Sequence, residues 1–353
     1  MIATLQKINP LRAEELESFY QIAVEIRQRN CEFELPWKEA RNIESFIHAH
    51  DLNYTFLIGS SEETACRLGA FYFKDDRETG FIGWYECDND PEIAKQLLTT
   101  AINWFKEQNV KKIYGPVNGT TWDAYRFNLT SPRPLFPGEP YQPQYYPEQW
   151  QNLNFKEEIQ YETNIIPRDT VKKMRRENFT QILDTLDAKL IPYPYQLPND
   201  ELRVMYEFYL KCFEKNPHFK HITFEQYKTL TDTVEPITDY NHSFLVTNKA
   251  GDPVSVLISF KDIYHDLYSA GKLSSEDNKK RTLYMKTIAT IPEWRNKKIS
   301  QMLVNFGCNV AYESGYEEVV FGTMFVSNLS AVKSKEIYKA QTLRKYALMS
   351  LEL

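Results

Sequence analysis

The segment Thr290-Ile-Pro-Glu-Trp-Arg-Asn-Lys-Lys-Ile-Ser300 carries the residue types and spacing best suited to chemistry. Pro292 ends a run that reads as a strand, Thr282 to Thr290. Beyond it, Ile299, Met302, Leu303, Phe306 and Val310 form an apolar stripe with helical period. A strand that breaks into a helix start gathers free backbone N–H groups and the positive end of the helix dipole at one point. Arg295, Lys297 and Lys298 add cationic side chains there, and cations at that end oppose the dipole unless an anion is present. The arrangement suits a pyrophosphate; a basic helix start without a ligand is the alternative.

The elements that would position this segment occur twice. Tyr54–Ile58 and Arg67–Phe73 read as a hairpin, and so do His242–Val246 and Val254–Phe260 around the turn Asn248–Asp252. A helix ending Trp104-Phe-Lys-Glu-Gln-Asn-Val runs into Lys112–Gly115, and one ending Ala311–Tyr316 runs into Val319–Gly322. This duplication predicts a tandem α/β protein: a first domain over 1–166, a linking helix over 167–185 and a second domain over 186–353. In the link, Arg168–Arg176 holds five basic residues in nine. It reads as the solvated face of that helix, with an anion- or membrane-binding segment as the alternative. Ser131–Pro147 contains six of the 18 prolines, which forbid helix and strand interiors. A rigid loop packing Tyr141, Tyr145 and Tyr146 against its domain is expected, against a polyproline ligand for an SH3-type partner.

Composition excludes other classes. A chain of 353 residues that is 42% hydrophobic and 14% aromatic buries a sizeable core. Its 12 glycines are about half the usual ~7% share, and neither G-x-x-x-x-G-K-[ST] nor G-x-G-x-x-G occurs, which disfavours P-loop and Rossmann nucleotide sites. A net charge of −6 gives no global field for nucleic acid or anionic lipid. Cys31, Cys66, Cys87, Cys212 and Cys308 are dispersed, as in a reduced cytoplasmic protein, and offer no zinc cluster. His218 and His221 lack an acid or cysteine partner nearby and read as surface histidines. Met1–Pro10 holds no signal-like stretch and no run of 18 apolar residues follows, so no membrane association is expected.

The segment from Pro292 resembles the acetyl-CoA pyrophosphate loop of the GNAT N-acetyltransferase superfamily, P-x-x-R-[GN]-x-G-[IL]-[GA]. Pro292, Arg295, Asn296 and Ile299 match, whereas Lys298 and Ser300 replace its two glycines. Phe321–Phe325 and Ser327-Asn-Leu-Ser-Ala331 resemble the fifth strand and the N-x-x-A start of the fourth helix. The resemblance covers Leu190–Leu353, with a degenerate copy in the first half. It implies two tandem GNAT-like domains, each a mixed, mostly antiparallel twisted sheet flanked by helices. It also implies an acyl-CoA-dependent N-acyltransferase, in the simplest case an N-acetyltransferase. Acetyl-CoA or another acyl-CoA would be held at Thr290, Ile291, Arg295, Asn296, Lys297, Lys298, Ile299 and Ser300, with Asn328 on the pantetheine arm. In the first half the corresponding stretch is Cys87-Asp-Asn-Asp-Pro-Glu-Ile93, whose acids would repel a pyrophosphate. Fem-type aminoacyl transfer and non-catalytic ligand binding on the same scaffold are the alternatives.

For the chemistry, the resemblance implies an oxyanion donor among the backbone N–H groups near Ala289–Ile291. The strand Thr282–Thr290 contains no acid, and its alternating face Tyr284, Lys286, Ile288 offers no carboxylate base. The position of the family's thiolate acid is Lys335; Tyr338, almost one turn later, is the catalytic candidate, against a purely packed aromatic. Trp122, Tyr125 and Arg126, in the stretch Asn118–Arg126, are candidates for holding a small-molecule or peptide amine, unless they pin the proline loop. A helix-start loop without its glycines still presents N–H groups if neither position needs positive φ.

Overall fold

A computed structural model describes residues 4–30, 41–61, 64–131, 135–274 and 276–353. Cys31 and residues 132–134 of the proline loop lie outside these. The first elements in chain order are β1 (Thr4–Ile8), α1 (Ala13–Asn30), α2 (Ile43–Ala49), β2 (Leu52–Ser60), β3 (Ala65–Phe73), β4 (Thr79–Cys87) and α3 (Pro91–Glu107). Then come β5 (Lys112–Gly115), β6 (Phe127–Asn128), α4 (Tyr146–Gln151), β7 (Lys156–Ile166), α5 (Arg176–Asp184), β8 (Ala188–Pro192), α6 (Asn199–Phe213) and α7 (Phe224–Val234). The chain closes with β9 (Phe244–Asn248), β10 (Pro253–Phe260), α8 (Ile263–Ser269), β11 (Thr282–Thr290), α9 (Ile299–Glu313), β12 (Glu318–Phe325), α10 (Leu329–Tyr338) and β13 (Gln341–Glu352).

Two compact units result. The first holds Met1–Pro134, Pro140–Gln160 and Lys345–Leu353; the second holds Leu135–Glu139 and Tyr161–Arg344. In the first, β1 to β4 pair antiparallel in sequence order, β4 pairs parallel with β5, and β5 pairs antiparallel with Met349–Glu352. Burying α3 through Leu97, Leu98, Ala101 and Phe105 against Leu68, Ala70 and Ile82 makes its core. Tyrosines of the proline loop pack into this unit: Tyr146 is buried and its hydroxyl donates to Glu86 Oε2 at 2.7 Å, and Tyr145 donates to Cys87 O at 3.0 Å.

In the second unit the strand order is β8-β9-β10-β11-β12, followed by Tyr161–Ile166 of β7. All neighbours are antiparallel except β11 and β12. Leu303, Phe306 and Ile299 of α9 pack on Leu257, Leu283 and Val319. The hairpin β9–β10 starts two residues later than expected, at Phe244. Tyr240–His242 is instead a 3₁₀ turn, because His242 Nδ1 pairs with Asp239 Oδ2 at 2.8 Å. Of the basic run, Arg168 lies in a 3₁₀ turn with its guanidinium over Tyr312 at 4.7 Å, and Arg176 begins α5.

Candidate functional site

β11 and β12 fork. They pair only from Thr282–Glu318 to Met285–Phe321, while β11 runs on to Thr290 and β12 to Phe325. Burial falls where pairing stops: Lys286, Thr287 and Ile288 on one arm, and Thr323, Met324 and Phe325 on the other, are half-buried. At the crotch, a Cβ on Gly322 would stand 2.4 Å from Lys286 O and 2.8 Å from Met285 O. Only glycine permits that approach, the usual meaning of a glycine inside a strand.

Lys286 is also an extra residue. Ile258 pairs with Thr287 but Ser259 with Met285, so β11 bulges at Lys286 against β10. The expected face of Tyr284, Lys286 and Ile288 is therefore corrected. Before the bulge Leu283 and Met285 join the core under α9; beyond it Ile288 does. Ile291 N–H donates to Val254 O at 3.1 Å, and alternation along the strand turns the N–H groups of Ile288 and Thr290 to the open edge.

The loop after β11 turns through Pro292–Trp294 and then adopts φ +65° at Asn296 and +62° at Lys298. Of the two positions where glycine is replaced, Lys298 needs left-handed backbone and Ser300, inside α9, does not, so the condition that neither needs positive φ fails at Lys298. A lysine there costs about 1–2 kcal/mol, strain that typically gathers at ligand sites. Lys298 is the N-cap of α9 and makes no side-chain capping bond, so α9 does not spend its first N–H groups on its own cap. Beneath the loop, Thr290 Oγ1 lies 2.8 Å from Ser300 Oγ and 2.7 Å from Ser255 Oγ, tying both strands to the first turn of α9. Arg295 turns onto the backbone instead of outward: Nε donates to Thr290 O and Nη2 to Cys212 O, both at 3.1 Å. Lys297 sits over the Trp294 ring at 4.1 Å.

On α10, Asn328 is the N-cap and its side chain accepts from Ser330 N–H at 3.1 Å. Lys335 Nζ donates to Glu162 Oε2 at 2.5 Å, and Thr342 and Asn164 also donate to that carboxylate. Tyr338 is 3% exposed and its hydroxyl donates to Gln301 O, near the start of α9, at 3.1 Å. Burial pushes its phenol well above the ordinary tyrosine range, so it keeps its proton at neutral pH.

Sequence reasoning missed a contribution from the proline loop. Leu135–Glu139 belongs to the second unit. Phe136 is 3% exposed and stacks on Tyr284 of β11, with centroids 3.8 Å apart and planes at 22°. Glu139 is buried opposite Arg344, Oε1 to Nε 3.4 Å. The available signal was an apolar residue amid prolines, in a segment too aromatic to be a solvated motif.

The first unit lacks these features. There β4 and β5 pair over Thr79–Phe81 and Lys112–Tyr114, but the edge beyond is filled. Trp84 N–H donates to Asn118 Oδ1 at 2.6 Å, and a Cβ on Gly83 would stand 1.8 Å from Val117 O. The N–H groups of Glu92 and Ile93 at the start of α3 are taken by Asp90. Trp122, Tyr125 and Arg126 also lie in this unit. Arg126 is buried and donates to the Tyr125 hydroxyl at 2.7 Å, with its guanidinium 4.2 Å over that ring and 5.9 Å from Tyr346. Trp122 is half-buried.

Among the described residues no group of three or more His, Cys, Asp or Glu could hold a metal ion, and no helix is long and apolar enough to cross a membrane. No family model matches the chain, and no curated protein matches it significantly. Solved structures do. A tandem GNAT protein from the clavulanic acid biosynthesis pathway aligns over 99% of this chain and 98% of its own, with TM-score 0.51 and 8% identity. A probable N-acyltransferase from Enterococcus faecalis V583 covers 100% of this chain and 72% of its own, with TM-score 0.53 and 10% identity. A glucosamine N-acetyltransferase region of a fungal multi-domain β-N-acetylglucosaminidase aligns over 99% of this chain, which spans 38% of that protein, with TM-score 0.52 and 13% identity. The forked parallel pair β11–β12, the loop into α9 and these likenesses agree: the chain has the tandem GNAT fold.

Proposed function

We propose that the second unit is an acyl-CoA-dependent N-acyltransferase, in the simplest case an N-acetyltransferase, acting on an amine of a small molecule or peptide. The observation that carries this reading is the fork. It ends in a helix start whose N–H groups have no side-chain cap and whose loop is held left-handed at Asn296 and Lys298. The residues fit the group: backbone N–H donors of Lys298, Ile299 and Ser300 with the exposed Lys297 and Lys298 charges suit a pyrophosphate. The open edges of β11 and β12 suit an extended amide-bearing arm. Thr290 and Ile291 form the end of that edge, Arg295 braces the loop, and Asn328 stands at the start of α10 beside the other arm.

When bound, acyl-CoA supplies an activated thioester. The N–H group of Ile288 or that of Thr290, both on the open edge, would serve as the oxyanion donor. Tyr338, kept protonated by burial, is the group we assign to give a proton to the leaving sulfur as the C–N bond forms and the C–S bond breaks; the proton shed by the acceptor amine would pass through solvent and restore the phenol. Isothermal titration of the intact chain with acetyl-CoA and with CoA tests the reading. Saturable binding, weakened by Lys297→Glu and Lys298→Glu together, supports it; no binding at millimolar concentration removes it. Binding without acceptor-dependent thiol release would leave a ligand-binding protein on the same scaffold.

A further inference from the structure

We infer that Phe136 restricts the acyl donor to short chains. This rests on the acyltransferase reading and specifies which donors that site takes. The fork offers a thioester few exits. Its crotch is shut, because Gly322 already lies against the carbonyls of Met285 and Lys286. The α9 side is shut too, because beyond the bulge Ile288 packs against the core beneath that helix. What remains is the opposite face, over Thr287 toward Tyr284. There the ring of Phe136 lies flat on Tyr284, and Phe260 meets the same tyrosine at 6.1 Å and 67°.

The roof is fixed in place. Asn278 Nδ2 donates to Leu135 O at 3.4 Å, the Glu139 N–H donates to Phe136 O at 3.3 Å, and Glu139 meets Arg344 in a pair with both side chains buried. A Cβ on Gly138 would touch Phe260 at 3.7 Å, so the turn of the tip lies against β10 as well. A chain of two or three carbons ends beneath this roof. A longer one must displace a buried ring from a stack held at both ends, and tightly packed interiors yield to such insertion at a cost in affinity.

The test compares dissociation constants of the intact chain for CoA, acetyl-CoA, propionyl-CoA and octanoyl-CoA by isothermal titration. Acetyl- and propionyl-CoA should bind within about threefold of each other, and octanoyl-CoA about tenfold or more weaker. Phe136→Ala should bring the octanoyl thioester to within about threefold of acetyl-CoA, whereas Tyr284→Phe, which keeps both rings, should preserve the gap. Thermal melts establish that each variant is folded, and the wild-type comparison stands without them. Octanoyl-CoA binding to the wild type as tightly as acetyl-CoA overturns the inference, as does a folded Phe136→Ala chain with the gap intact. If CoA and every thioester fail to bind, the acyltransferase reading itself falls and this inference with it.

Discussion

Lys335 and Glu162 meet at 2.5 Å across α10 and β7, with the lysine 42% exposed and the glutamate 5%. Glu162 keeps Thr342 and Asn164 as further donors. Lys335→Met should therefore destabilise the chain by about 1–2 kcal/mol, less than the ~3–5 of a fully buried pair, because solvent screens the lysine. Glu162→Ala should cost more, since three donors lose their acceptor. Urea midpoints measure both; a Lys335→Met loss exceeding that of Glu162→Ala would contradict the assignment.

Lys298 in left-handed backbone makes an unusual stabilising substitution available. Lys298→Gly relieves about 1–2 kcal/mol of steric cost and adds about 0.5–1 kcal/mol of unfolded-state entropy. The variant should gain about 0.5–1 kcal/mol by the difference of those terms. Thermal denaturation should show a higher midpoint. A lowered midpoint would mean that the lysine side chain contributes more than its backbone costs.

Tyr338 separates chemistry from binding. Tyr338→Phe should lower kcat by about a hundredfold or more, the usual worth of a positioned proton donor. Affinity for CoA should stay the same. Loss of the bond to Gln301 should cost about 1 kcal/mol of stability. An unchanged kcat would return Tyr338 to a packing role.

Asp239 links the second unit to acid. Burial pushes its carboxyl up, but hydrogen bonds from His242, Tyr316 and the Asn241 N–H outweigh this and leave it below its ordinary 3.8. A depressed carboxylate contributes stability above its unfolded value, and that stability is lost as pH falls through the folded one. The wild type should therefore be more stable than Asp239→Asn at neutral pH, with the gap intact down to about pH 4 and shrinking below it. Urea midpoints across pH 2–7 check this. A gap that widens toward acid would reverse the sign.

Local pattern carried much of this fold into the sequence. Thr282–Thr290 reads as a strand and is β11 over the same residues, and the stripe from Ile299 to Phe306 is the buried face of α9. What sequence could not show depends on a partner distant along the chain. The bulge at Lys286 exists only relative to Ile258 and Ser259 on β10. The charge of Arg295 is visible in the sequence, whereas its carbonyl partners, Thr290 and Cys212, are not. The left-handed backbone at Lys298 was hidden because a non-glycine residue does not announce such a position. Phe136 belongs to the site through a stack with Tyr284, and no periodicity joins those two.

The tandem also differs from a simple duplication in what it can survive. Lys345–Leu353 completes the first unit and Leu135–Glu139 enters the second. A break in the gene between residues 160 and 161 would leave the first product without the strand that pairs with Lys112–Gly115 and the second without the ring that covers Tyr284. Recombination can shuffle self-sufficient modules, but here each copy holds a piece the other's reading frame must deliver. Both units therefore depend on one unbroken chain.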